Sequence, residues 1–131
     1  MRVVISVRDY LMGRDRDHGA ELTDELMANA SELVGKVNAL LERFGQERKV
    51  RSGWRPAAVN AATPNSAPRS KHMTCEAIDL DDPEGDLDDW ALENPDALQE
   101  IGLWQEHPSA TKSWAHFQCV PPKSGKRVFY P

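Results

Sequence analysis

The stretch Ser70-Lys71-His72-Met73-Thr74-Cys75-Glu76-Ala77-Ile78-Asp79 decides how this chain must fold. It carries an imidazole and, seven positions later, a carboxylate; a second imidazole follows in Ser113-Trp114-Ala115-His116-Phe117-Gln118. Two imidazoles and one carboxylate are the ligand set of a hydrolytic zinc site, with a fourth position left for water. Seven residues of helix rise about 10 Å, and seven of strand span roughly 23 Å. Neither lets His72 and Asp79 hold one ion at about 2 Å from each donor. The chain must turn between them, with Asp79 on a short strand after the turn. Each residue also has an ordinary alternative. A lone His is more often a surface or core residue, and Asp79 opens an acidic run with Asp81 and Asp82 that reads as a solvated face.

Upstream, residues 3–7 read as a short strand or extended lead-in, and the polar, sign-alternating residues 10–19 as a loop. A helix follows. Thr23 is its N-cap, and Asp24 and Glu25 occupy the first turn, where the helix dipole favours acids. Leu26, Ala30, Leu33, Val37, Leu40 and Phe44 recur at steps of three and four, which makes one core-facing stripe. Gly45 ends it. Residues 49–54 read as a strand, Pro56 starts a short helix through Asn60, and residues 61–68, with two prolines, read as a loop.

Downstream, residues 76–80 read as a strand and 81–85 as a turn. Residues 87–92 and 95–101 read as two short helices, 103–106 and 112–119 as strands, and 128–130 as a last edge strand. The fold class is α+β: a small antiparallel sheet with helices packed mainly on one side. Along the strand around His116 side chains alternate, so Trp114, His116 and Gln118 share one face, and Ala115 and Phe117 the other.

Length and charge bound the function. The 131 residues make one domain, 1–131, with a helical preface (1–47) and a core carrying the metal site (48–131). The net charge of −5 argues against a nucleic-acid binder, which would need a basic stripe. No apolar run is long enough for a membrane span, and the apolar run near Met1 is too short for a signal peptide. Cys75 and Cys119 are the two cysteines and are expected as free thiols, with a disulfide as the alternative. A monomer is expected.

Four blocks carry a resemblance. Ser52-Gly53-Trp54-Arg55, Ser70-Lys71-His72, Ala77-Ile78-Asp79 and Trp114-Ala115-His116 occur in the order found in the zinc D-Ala-D-Ala metallopeptidases, whose fold is of the Hedgehog type. The resemblance covers roughly residues 48–119. It implies Zn2+ held by His72, Asp79 and His116, and a peptidoglycan stem peptide as substrate, cut at a bond involving D-alanine by carboxypeptidase or endopeptidase action. Arg55 is then the residue that contacts substrate near the reaction centre, with Ser70 and Trp114 as further substrate contacts. Synthesis in the cytoplasm and action at the cell wall, by phage-type release or as part of a virion, would fit such a chain.

Two departures stand out. Cys75 occupies a position where the family has Gly, which suits a turn with positive φ; a residue with a Cβ adopts that backbone at a cost. As a thiolate, Cys75 is also a candidate ligand. Ser113 stands where many members place the acid that serves as general base. Glu106 is the favoured substitute, because its strand is expected to pair with that of His116; Asp81, Asp82 and Glu76 are the alternatives. The missing acid also supports a rival reading, a zinc-binding structural or wall-binding domain of a phage particle with weak or no turnover.

Overall fold

The computed structural model describes residues 5–131. Of the expected lead-in at 3–7, Val3 and Val4 lie outside the described residues, and Val7 begins a helix, α1 (Val7–Leu11). A capping box starts it: Ser6 Oγ accepts from the Asp9 amide, and the Asp9 carboxylate accepts from the Ser6 amide. A second helix, α2 (Arg14–His18), and a 3-10 turn (Gly19–Glu21) complete the segment read as a loop. That segment has no apolar period to betray helix. It is held by the cap, by buried Tyr10 and Leu11, and by Arg14, which donates to the Trp54 carbonyl at 2.7 Å.

The long helix α3 (Asp24–Phe44) forms as its pattern predicts. Thr23 caps its first turn, and Gly45, at φ 90°, closes it by donating to the Leu41 carbonyl. Ala30, Leu33, Val37 and Leu40 are fully buried, with Leu26 and Phe44 packed at the margin. Val34 and Leu41 widen the stripe, and buried Asn38 brackets Ile5, accepting from its N–H and donating to its carbonyl at 2.8 Å each.

Five strands follow: β1 (Val50–Ser52), β2 (Ala77–Asp81), β3 (Trp104–Glu106), β4 (Trp114–Gln118) and β5 (Val128–Phe129). Helix α4 (Ala57–Ala62) follows β1 and takes in the first two residues of the expected 61–68 loop. Helices α5 (Asp86–Glu93) and α6 (Pro95–Ile101) lie between β2 and β3. The sheet order is β1-β2-β4-β3-β5. It is mixed, not purely antiparallel, because β5 returns beside β3 in the same direction.

Register carries the consequence for function. In the β2–β4 ladder Ile78 faces Phe117, Leu80 faces Ala115, and Asp79 faces His116. Ile78, Leu80, Ala115 and Phe117 are fully buried in the core with α3, α5 and α6. Burying each of the larger ones is worth about 1.5–3 kcal/mol. A slip of one residue would bring Asp79 and His116 into that core, so apolar packing on one face fixes the polar set on the other. Among the described residues no helix is long and apolar enough to cross a membrane.

Candidate metal centre

His72 sits in the turn between α4 and β2. The chain doubles back there through Met73 N–H to the Ser70 carbonyl (3.0 Å) and Glu76 N–H to the Lys71 carbonyl (2.9 Å). Ser70 Oγ accepts from the His72 N–H at 3.2 Å. Cys75 completes the turn at φ 59°, the left-handed backbone that its position implies. The Cys75 side chain is fully buried in the core beside Tyr10, and burial pushes its thiol up to about 12. It is not among the clustered donors, and both cysteines are free.

Two contacts pin His72 to the segment after β1. Its Nδ1 donates to the Gly53 carbonyl at 2.9 Å, and the Arg55 N–H donates to the His72 carbonyl at 3.1 Å. Glycine at 53 is a steric need: a Cβ there would lie 1.8 Å from the Tyr10 carbonyl oxygen. That same oxygen accepts the Trp54 N–H at 3.2 Å, so α1 braces the segment that orients the imidazole.

The turn and the β2–β4 register bring three donors together. One ligand atom from each of His72, Asp79 and His116 lies within 4.8 Å of the other two, and the imidazole centroids are 5.4 Å apart. Asp79 Oδ1 is 2.8 Å from His116 Nδ1, and Oδ2 is 3.4 Å from His72 Nε2. Burial alone would push the Asp79 carboxyl up, but hydrogen bonds from His116 and His72 outweigh it and hold the group well below the usual carboxylate range. His72 is driven down, chiefly by its burial; His116 is driven up despite burial, by its contact with Asp79 and the charges of Asp79 and Glu106.

The donor set fits a cation. With Nδ1 committed to the Gly53 carbonyl, His72 can donate to Asp79 only when protonated; the neutral ring turns an Nε2 lone pair toward the carboxylate, an acceptor facing an acceptor. A proton on His116 satisfies one contact in the cluster; a divalent ion satisfies all three donors at once.

Around the cluster, Arg55 is buried, with Nε donating to Ser52 Oγ at 3.0 Å and Nη2 lying 3.4 Å from Asp79 Oδ2. Glu106 lies one step beyond the Gln105–Phe117 pair of the β3–β4 ladder, and so faces the same side as His116. Burial raises its carboxyl; the field of His116 opposes and that of Asp79 adds. The other candidate acids are engaged elsewhere. Asp82 accepts from the amides of Leu87 and Asp88, Asp81 pairs with Arg51 at 2.7 Å, and Glu76 accepts from Thr74. Ser113, at φ 82°, accepts from Arg51 Nη1 at 2.8 Å, and the Arg51 guanidinium lies over half-buried Trp114 at 5.6 Å. The rings of Phe129 and His116 lie nearly perpendicular, their centroids 6.2 Å apart. Three participants escaped the sequence reading: the Gly53 carbonyl, Arg51 and Gln118. Strand alternation had put Gln118 on the His116 face, but nothing in the pattern showed that it reaches the ring.

Compared with models of known families, residues 9–103 match the one described as Peptidase M15. The chain belongs to the peptidase M15 family. The match holds most of the chain, including His72 and Asp79, and stops before Glu106 and His116. No curated protein and no solved structure matches significantly. Membership makes peptide-bond hydrolysis the class of chemistry to set beside the His72–Asp79–His116 cluster, and the α+β architecture of this M15 peptidase is compatible with that family's fold.

Proposed function

We propose that the chain is a zinc-dependent peptidase acting on peptidoglycan stem peptides, at a bond involving D-alanine. His72, Asp79 and His116 would hold the Zn2+. The observation that carries this reading is the convergence of those three donors beside a raised carboxylate, Glu106. When bound, zinc supplies a Lewis acid and lowers the pKa of water. Glu106 takes the proton of the attacking water and returns it to the leaving amine; its desolvated carboxyl is a stronger base than an exposed one. Arg55, braced by Ser52 and Asp79, offers its guanidinium to the substrate's terminal carboxylate or to charge developing on the scissile carbonyl. Ser70 keeps its hydroxyl proton to donate, and Trp114 is a flat wall for the peptide. Action at the cell wall, reached by phage-type release or as part of a virion, goes with this substrate.

A second reading has its own support. Arg51 occupies the hydroxyl of Ser113, where a general-base acid would otherwise stand, and that favours a zinc-stabilised wall-binding domain of a phage particle without turnover. Dye release from purified cell walls separates the two. Zinc-replete protein should release dye, His116→Ala should not, and Glu106→Gln should lose about 10²–10⁴-fold in rate while keeping its zinc. Zinc-loaded wild type as inert as His116→Ala would decide for the binding domain. An undiminished Glu106→Gln would remove Glu106 as base.

A further inference from the structure

We infer that Gln118 is a positioning residue of the metal centre: its amide oxygen holds the Nε2 proton of His116 and so leaves Nδ1 as the nitrogen offered to the metal. This rests on the reading of His72, Asp79 and His116 as ligands, and extends it to how the second imidazole is aimed.

A primary amide has one donor end and one acceptor end, and its other contact tells which end faces the ring. Gln118, 5% exposed, has its Nε2 2.9 Å from the Val120 carbonyl oxygen, which can only accept. The NH2 end is therefore committed to Val120. The oxygen end then faces His116 Nε2, 3.2 Å away. An acceptor at that place requires a proton on Nε2. Asp79 Oδ1, 2.8 Å from Nδ1, is an acceptor too, so without an ion both ring nitrogens hold protons; an ion that takes the place of the Nδ1 proton leaves Nε2 protonated and Nδ1 offering its lone pair inside the donor cluster.

His72 is set in the opposite sense, and by main chain. The Gly53 carbonyl holds its Nδ1 proton and turns Nε2 inward. The two rings thus present different nitrogens, each with an acceptor behind it. Such outer partners fix the tautomer of a ligating imidazole and raise its basicity, and losing one typically weakens metal binding about 10–100-fold. The spacing is what a strand requires: residues 116 and 118 of β4 share a face, one repeat apart.

The test compares Gln118→Met, similar in length but without a strong acceptor, with Gln118→Glu, which keeps the acceptor but loses its donation to Val120. Zinc affinity is read by competition with a chromophoric chelator, and the protonated nitrogen of His116 by 15N NMR of the zinc-loaded proteins. We expect Nε2 to carry the proton in wild type, Gln118→Met to bind zinc about 10–100-fold more weakly, and Gln118→Glu to stay near wild type even though its melting temperature falls. A purely structural role would lower stability in both variants without splitting their zinc affinities. Wild-type affinity in Gln118→Met, or a zinc-loaded wild type protonated at Nδ1, would overturn the assignment while leaving the ligands in place. If wild type bound zinc no better than His116→Ala, the metal reading would fall, and the role of Gln118 with it.

Discussion

Cys75 holds a left-handed backbone, φ 59°, with a Cβ that this region tolerates poorly. The strain lies three residues after His72, in the turn that lets His72 and Asp79 meet. Replacing Cys75 with Ala or with Gly removes the same buried sulfur, so the two variants share most of the packing loss. They differ in backbone. At an ordinary position Ala would be the more stable; here Gly is expected to win by about 1 kcal/mol, read as the difference between their urea midpoints. An Ala variant as stable as the Gly variant would mean the turn relaxes out of the left-handed region. This strain was legible before any coordinates, because the resemblance set Cys75 where its pattern has Gly. The orientation of the imidazoles was not. The partner of His72 is a main-chain oxygen, which has no side-chain signature, and that of His116 depends on which way an amide is turned.

Among the elements, β4 was the most readable, since alternation separates Trp114, His116 and Gln118 from buried Ala115 and Phe117. α1 and α2 were not readable. Each is five residues long, too short for apolar periodicity to emerge; α1 stands on its capping box and on buried Tyr10 and Leu11, and α2 on the bond from Arg14 to the Trp54 carbonyl. The direction of β5 was also hidden, because it depends on the path of the loop at 120–127. The packing of α1 on β1 makes a sharp prediction. A methyl at Gly53 would meet the Tyr10 carbonyl at 1.8 Å, and backbone cannot rotate away as a side chain can. Gly53→Ala is expected to cost at least about 1–3 kcal/mol and to weaken zinc binding, because the displaced segment after β1 carries the carbonyl that orients His72. Denaturation together with a zinc titration checks both. Lost stability with unchanged zinc affinity would separate the brace from the centre.

At the scale of the whole molecule, the stability of the fold depends on two buried acids that respond to pH in opposite senses. Asp79, held low by its imidazoles, contributes stability that is present above the usual carboxylate range and is lost as the pH falls. Asp88 does the reverse. It is 2% exposed on α5, where Gln105 Nε2 and Thr111 Oγ1 donate to it at 2.9 and 3.0 Å, tying α5 to β3 and to the turn before β4. Burial pushes its carboxyl to about 6; the hydrogen bonds from Gln105 and Thr111 oppose the rise, and the charges of Asp82 and Asp89 add to it. Between about 4 and about 6 the folded chain therefore binds a proton at Asp88 that the unfolded chain has released. Its contribution falls as pH rises through that window and stays low above it. Asp88→Asn removes the buried charge and keeps an oxygen to accept from Thr111 or Gln105. We expect the variant to melt several degrees above wild type at pH 8 and near it at pH 4. Parallel melting curves for the two proteins across that range would show that solvent reaches Asp88 and that its charge costs the fold nothing.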